Sequence, residues 1–300
     1  MSGPLQRLLE KQPFLILDGA MGTELHRRGE DVSLPLWSAR ALIKDPNTVL
    51  QIHKDYLAAG ADIITTNTFR TTRRTFRRST MIDRSLELTG LAVRLARESL
   101  SAFPSRRILI AGSMAPLEDC YGPDLVPPDH ELREEHAAHA YQLAAAGVDF
   151  LLVETIGTVR EAFAACEAAV RTGLETVVSF LCTNDGSLYG GESLEDAVTT
   201  IEALGPFGFS LNCVSPKHLS GLLKALRSLT DLPLAVYGNV GLPDGERGEE
   251  FVCDVTPDEY ASLAVHWNRL GASIIGGCCG TTPEFIQKVR SALELDGSKA

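Results

Sequence analysis

Positive charge is scarce in this 300-residue chain, where 28 lysines and arginines stand against 39 acids for a formal net charge of −11. That balance disfavours nucleic acid as the principal partner, because phosphate recognition needs a basic footprint. The chain also lacks any apolar run approaching the roughly 20 residues of a membrane span, so no membrane partner is expected. Its opening stretch, MSGPLQRLLEKQP, lacks the apolar core of a secretory signal. Seven cysteines, two of them adjacent at Cys278 and Cys279, are not the even set of a disulfide scaffold. They point to a reducing, cytoplasmic setting in which thiols are kept for chemistry or packing. No low-complexity tract, Ser/Gly linker or shift in composition marks a boundary, so residues 1–300 read as one domain.

What the chain does contain is a repeating pair: a short apolar, β-branched run and then a longer amphipathic segment. The runs fall at 14–17, 62–65, 107–111, 149–153, 176–181, 208–211, 234–237 and 273–275. They do not alternate strictly, which is how strands covered on both faces read. Helical patterns follow at 48–59, 82–102, 129–146, 159–172, 194–204, 216–229, 257–270 and 283–295. Several open on caps such as Ser193, Ser215-Pro216 and Thr282-Pro283, and several close on glycine. Eight strand–helix units in this length predict a single-domain α/β fold, the (β/α)8 TIM barrel. A doubly wound open sheet ranks second, since the turn after the first run, Asp18-Gly-Ala-Met-Gly, is not the GxGxxG of dinucleotide binders.

A barrel puts its chemistry at the C-terminal ends of the strands. The residues expected there are Asp18, Asn67, Ser113, Glu154, Thr183, Cys213, Asn239 and the pair Cys278/Cys279. Three thiols from the sixth and eighth strand ends would meet at one side of the mouth. Soft thiolates suit zinc, and three protein ligands with one open position describe a working metal rather than a structural one. Adjacent residues on a regular strand face opposite ways, so sharing one ion requires a bend, which Gly276, Gly277 and Gly280 permit. Zinc bound by three anionic sulfurs is a poor generator of hydroxide. It suits activation of an incoming thiol, whose pKa near 8.5 falls on coordination. The residues thus predict S-alkylation of a small thiol.

The chain resembles the zinc-dependent homocysteine S-methyltransferases along nearly its whole length, through LDGAMGTEL, LWSARALIKDP, HKDYLAAGADIITTNTF, LLVETI, DGSLYGGESL, LNC and GGCCGTTPEFI. That family includes betaine- and S-methylmethionine-homocysteine methyltransferases and the homocysteine module of cobalamin-dependent methionine synthase. The resemblance implies a (β/α)8 barrel with zinc on Cys213, Cys278 and Cys279, the homocysteine sulfur completing the site and methionine as the product. Glu154 would then take the substrate ammonium. The turn of Asp18, Gly19, Ala20 and Met21 would present N–H groups to its carboxylate, with Asp18 either orienting the turn or sharing the ammonium. Ser113, Asn67 and Asn239 complete the expected substrate-binding set, Asn67 either as a contact or one step behind. Thr155 stands where the betaine enzymes carry an aromatic residue, and no cobalamin- or folate-binding region follows the last helix. The expected donor is therefore S-methylmethionine or S-adenosylmethionine. Alternatives are betaine, a methyl-corrinoid protein partner, or a non-catalytic zinc- or thiol-binding barrel.

Weaker features remain open. Arg70, Arg73, Arg74, Arg77 and Arg78 form a basic patch with Arg70, Arg74 and Arg77 on one helical face, either meeting an anionic donor or, more simply, paired with acidic neighbours. Trp37 and Tyr121 would wall a sulfonium site or merely pack. His136 and His139 read as surface residues, and Cys120, Cys166, Cys182 and Cys253 as packing. The glycine-flanked stretch 241–248 reads as a lid over the mouth.

Overall fold

A computed structural model describes residues 2–79, 83–240 and 255–298. Its sheet has eight parallel strands: β1 (Leu15–Ile16), β2 (Ile63–Thr65), β3 (Leu109–Met114), β4 (Phe150–Ile156), β5 (Thr176–Phe180), β6 (Gly208–Asn212), β7 (Leu234–Gly238) and β8 (Ala272–Gly277). They are ordered β1-β8-β7-β6-β5-β4-β3-β2. A parallel bridge between Leu17 and Ile63, with backbone bonds from Asp18 N to Ile63 O and Asp62 N to Ile16 O, joins the two ends into the predicted (β/α)8 barrel. The long helices Pro46–Ala58, Ser85–Ser99, Asp129–Ala146, Val159–Val170, Leu194–Glu202, Pro216–Leu229, Pro257–Arg269 and Pro283–Gly297 surround it. Stretch 241–254 lies outside the described residues, and with it the expected lid and Cys253.

Strand parity explains how the barrel becomes a site. Side chains alternate between the interior and the helix layer. The inward set is apolar at the bottom, with Leu15, Ile63, Leu109, Phe150, Val177, Ala235 and Ile274 in one buried cluster. One or two inward steps higher β3, β4, β5 and β7 present Ser113, Glu154, Ser179 and Tyr237, and β6 adds Asn212, all buried. The outward residues, such as Ile64, Ile110, Val153, Phe209 and Leu211, are equally apolar because helices cover them, and that two-sided burial is what removed the alternation from the sequence.

Two parts of the fold were not anticipated. The helix Pro4–Leu9 stoppers the lower end of the barrel, placing Leu5 and Leu8 in the interior cluster. The Glu175 carboxylate accepts from Leu5 N at 2.7 Å and Gln6 N at 2.9 Å, satisfying N–H groups that the helix itself leaves free. At the upper end the connections after β1 and β2 carry short helices, Gly22–Arg27, Ala39–Lys44 and Arg73–Arg78, which build walls rather than merely link.

Candidate active site

Those walls and strand ends enclose a cavity of about 300 Å³. The strand ends contribute the turn 18–23, Thr65 to Asn67, Ser113, Glu154, Thr155, Cys213, Tyr237 and residues 277–279. Leu34, Trp37, Phe69, Arg70, Asp119, Cys120 and Tyr121 line the rest. Thr183 and Asn239 are absent from the wall. Thr183 turns away to bond Asp185 at 2.5 Å, and Asn239 is buried with Oδ1 unpartnered among the described residues while its N–H donates to Val214 O at 3.0 Å.

Backbone irregularities at strand ends direct consecutive side chains into this space. Thr155 (φ 64°) and Cys213 (φ 56°) adopt left-handed conformations, as does Trp37 (φ 48°), and all three line the cavity. Such residues cost of order 1–3 kcal/mol each and cluster at functional sites. At β4 the register shifts between Val153 and Ile156, so that Glu154 and Thr155 both reach the interior. On β8 the bend follows from Gly277, where a Cβ would lie 2.4 Å from Thr281 Oγ1, and Gly280, whose φ of +82° reverses the chain.

The consequence is a gathering of sulfurs. The Sγ atoms of Cys213, Cys278 and Cys279 lie within 4.8 Å of one another, with Cys213 and Cys278 at 2.8 Å. Three thiols this close resist triple ionisation. Hydrogen bonds from the Cys213 and Cys278 thiols hold Cys279 well below the ordinary thiol pKa, while the Cys213 thiol, itself bonded to Cys278 and Cys279, is held well above it. A divalent soft cation would remove that conflict, so the donor set fits zinc. Asn212 lies beneath the sulfurs. Its Oδ1 accepts from Thr155 N at 3.0 Å and Ser179 Oγ at 2.7 Å, which fixes the amide orientation. Its Nδ2 then donates to Thr155 Oγ1 at 2.8 Å and approaches Cys213 Sγ at 3.5 Å and Cys278 Sγ at 3.9 Å.

Glu154, 8% exposed, lines the same cavity. Ser113 Oγ donates to its Oε1, and Tyr237 OH donates to Oε2 at 3.3 Å. Burial pushes its carboxyl up to about 7 against these bonds. Asp18 is likewise raised to about 8, chiefly by burial and further by the charge of Glu154. Both Asp18 oxygens are engaged by Thr65, through N at 2.9 Å and Oγ1 at 2.8 Å, so Asp18 ties β1 to β2 while facing the cavity. In the turn that follows, Ala20 N donates to Thr281 Oγ1 at 3.2 Å. Asn67 lines the wall with Nδ2 on Ser38 O at 2.9 Å and Oδ1 unpartnered among the described residues.

Several residues lie elsewhere than expected. His136 and His139 are buried, not on the surface, because they continue the inward stripe Leu132, His136, His139, Leu143 of their helix. His136 Nε2 meets Glu161 at 3.2 Å. His139 Nε2 donates to Ser113 O at 3.3 Å and supports the serine that holds Glu154. In the basic patch, Arg73, Arg74, Arg77 and Arg78 all pair with acids, among them Glu118 and Glu135. Arg70 precedes the helix Arg73–Arg78 and lines the cavity instead. Sequence reasoning overlooked Tyr237, Asn212 and Thr65. An asparagine at an interior strand position in LNC is the one advance signal, because an amide is expensive to bury without partners.

Comparison with known proteins matches residues 15–293 to the homocysteine S-methyltransferase family. Homocysteine S-methyltransferase YbgG of Bacillus subtilis is 31% identical, covering 95% of this chain and 96% of that protein. A selenocysteine Se-methyltransferase of Brassica oleracea is also 31% identical, covering 95% and 90%. Among solved structures, the metallated form of the homocysteine methyltransferase MmuM from Escherichia coli superposes with a TM-score of 0.84 at 31% identity, over 96% of this chain and 99% of that one.

Proposed function

The chain belongs to the homocysteine S-methyltransferase family, and on that premise we propose that it transfers a methyl group from a sulfonium donor, S-methylmethionine or S-adenosylmethionine, to the thiol of homocysteine with zinc held by Cys213, Cys278 and Cys279. The observation that carries this is the placement of three converging sulfurs and one buried, hydrogen-bonded glutamate in the same cavity. Bound at those cysteines, zinc supplies a Lewis acid that keeps a thiol ionised at neutral pH, so no separate base is required.

The residues of the chain do the rest. Glu154, oriented by Ser113 and Tyr237, takes the substrate ammonium. An incoming cation returns this raised carboxyl to its charged form, so recognition of the head group and ionisation of Glu154 are coupled. The turn at Gly19, Ala20 and Met21 faces the cavity; Ala20 N is held by Thr281 Oγ1, so Gly19 and Met21 supply the N–H groups for the substrate carboxylate. With the head group fixed at Glu154, the sulfur is directed to the cysteines, and apolar walls at Leu17, Trp37 and Phe69 exclude water that would otherwise compete. In the transfer, the electron pair of the thiolate forms the new S–CH3 bond as the donor's S–CH3 bond breaks, and that bonding pair stays on the donor sulfur as a neutral thioether. Trp37 and Tyr121 present aromatic surface to the positive charge of the donor sulfonium before transfer neutralises it.

The test is to incubate zinc-loaded protein with homocysteine and each of S-methylmethionine, S-adenosylmethionine, betaine and methylcobalamin, and to measure methionine. Turnover with a sulfonium donor, lost in Cys213→Ala together with about one zinc per chain, is the expected result. Turnover with methylcobalamin alone would favour a corrinoid partner, and an active metal-free preparation would overturn the zinc assignment.

A further inference from the structure

We propose that Arg70 is the docking point for the carboxylate of an amino-acid-type sulfonium donor, and so selects donors that carry an anionic tail. The inference rests on the methyl-transfer function proposed above. Arg70 differs from the other arginines of one short segment. Arg73 lies 3.6 Å from Asp83, Arg74 is 3.0 Å from Glu118 and from Glu135, Arg77 is 3.7 Å from Glu135, and Arg78 pairs with Glu118. Arg70 has no carboxylate within ion-pair distance among the described residues. Its Nη1 donates to the backbone oxygen of Glu118 at 3.0 Å, and its guanidinium lies 5.4 Å from the centroid of the Phe69 ring. Of these five arginines it alone lines the cavity.

A guanidinium offers five N–H donors, and here one is spoken for. Asp119 and Glu118 act on it through space without closing a pair, and burial disfavours its charge. A cation partly withdrawn from water, with donors unspent and a cavity in front of it, is prepared for an anion arriving with the ligand. The acceptor substrate does not supply that anion in the arrangement proposed, because its two charged groups are accounted for by Glu154 and the turn after β1. The donor has a carboxylate still unassigned. Tyr121 shares the cavity wall with Arg70 and with Cys213, Cys278 and Cys279. The sulfurs, an aromatic ring and Arg70 thus line one cavity, the three kinds of surface that a thiolate, a sulfonium and a carboxylate would need.

The experiment compares S-methylmethionine with its α-carboxamide, which keeps the sulfonium and the ammonium but not the anion, in the wild type, Arg70→Ala and Arg70→Lys. The wild type is expected to prefer the acid by about 10–100-fold in kcat/KM, the range of one charge-assisted pair. Arg70→Ala should abolish that preference and raise the donor KM by a similar factor, with homocysteine KM and zinc content unchanged, and Arg70→Lys should restore part of it. Equal use of acid and amide by the wild type overturns the proposal without reference to any variant, as does a preference retained in Arg70→Ala while methyl transfer proceeds. Absence of transfer from every sulfonium donor is a different failure. It removes the donor class itself, and this inference with it.

Discussion

Replacing Glu154 by Gln is expected to stabilise the protein while disabling its affinity for homocysteine. In the fold the carboxyl is pushed from 4.5 to about 7, so the native state binds a proton that the unfolded chain has already released. For a raised carboxyl the native state holds more protons than the unfolded state between these two values. Stability therefore falls as pH rises through that window and stays at its reduced level above it. A shift from 4.5 to about 7 corresponds to about 3 kcal/mol, taking 1.36 kcal/mol for each pH unit. Gln keeps an acceptor for Ser113 Oγ and an amide that Tyr237 OH can accept from, and it removes the ionisation. Urea denaturation of both proteins between about pH 4 and pH 8, free of metal and substrate, should show the stability of the variant relative to wild type rising by about 3 kcal/mol across the range. In parallel, homocysteine KM should rise by about 100-fold, the cost of losing a charge-assisted partner for the ammonium. A stability difference that is flat with pH would refute the assigned ionisation, and an unchanged homocysteine KM would refute the role of Glu154.

Two further substitutions separate the site from its frame. Asn212→Ala removes the amide directed at the sulfurs and should weaken zinc binding by about 10–100-fold in a competitive chelator titration, the usual effect of losing such a support. Unaltered zinc affinity would confine Asn212 to packing. Asp62→Ala acts at the opposite end of the barrel, where the carboxylate accepts from Ile16 N at 3.0 Å, pairs with Arg290 and meets Arg106 at 3.5 Å. Leaving these partly buried arginines uncompensated should cost about 2–3 kcal/mol in denaturation experiments, somewhat less than breaking a fully buried pair. The folded fraction should retain its KM values, and altered substrate affinity would show that the lower rim couples to the site.

The ring of eight strands was legible because its evidence is local: each apolar run, each amphipathic segment and each cap is written in consecutive residues. The cysteines were legible for a related reason, since adjacent Cys278 and Cys279 framed by glycines have few structural explanations and the eighth strand must end there. The residues 4–9 gave no such signal. They form an ordinary short amphipathic stretch whose value lies in closing a hole that exists only once the barrel has formed. His136 and His139 were misplaced because a histidine in a helical stripe is neutral evidence until its neighbours are known.

The sequence by itself therefore determined the element order, the fold and which three cysteines would gather, all of which follow from short-range pattern and from residue chemistry. Tertiary structure decided which polar groups face one another. It gave Glu154 its partners in Ser113 and Tyr237, turned the Asn212 amide toward the sulfurs, and separated Arg70 from four arginines that look the same in the chain. The physical reason is that hydrogen bonds, burial and charge act over a few ångströms in space. Residues separated by 41 and 83 positions, as the two partners of Glu154 are, come within that range only when the barrel closes.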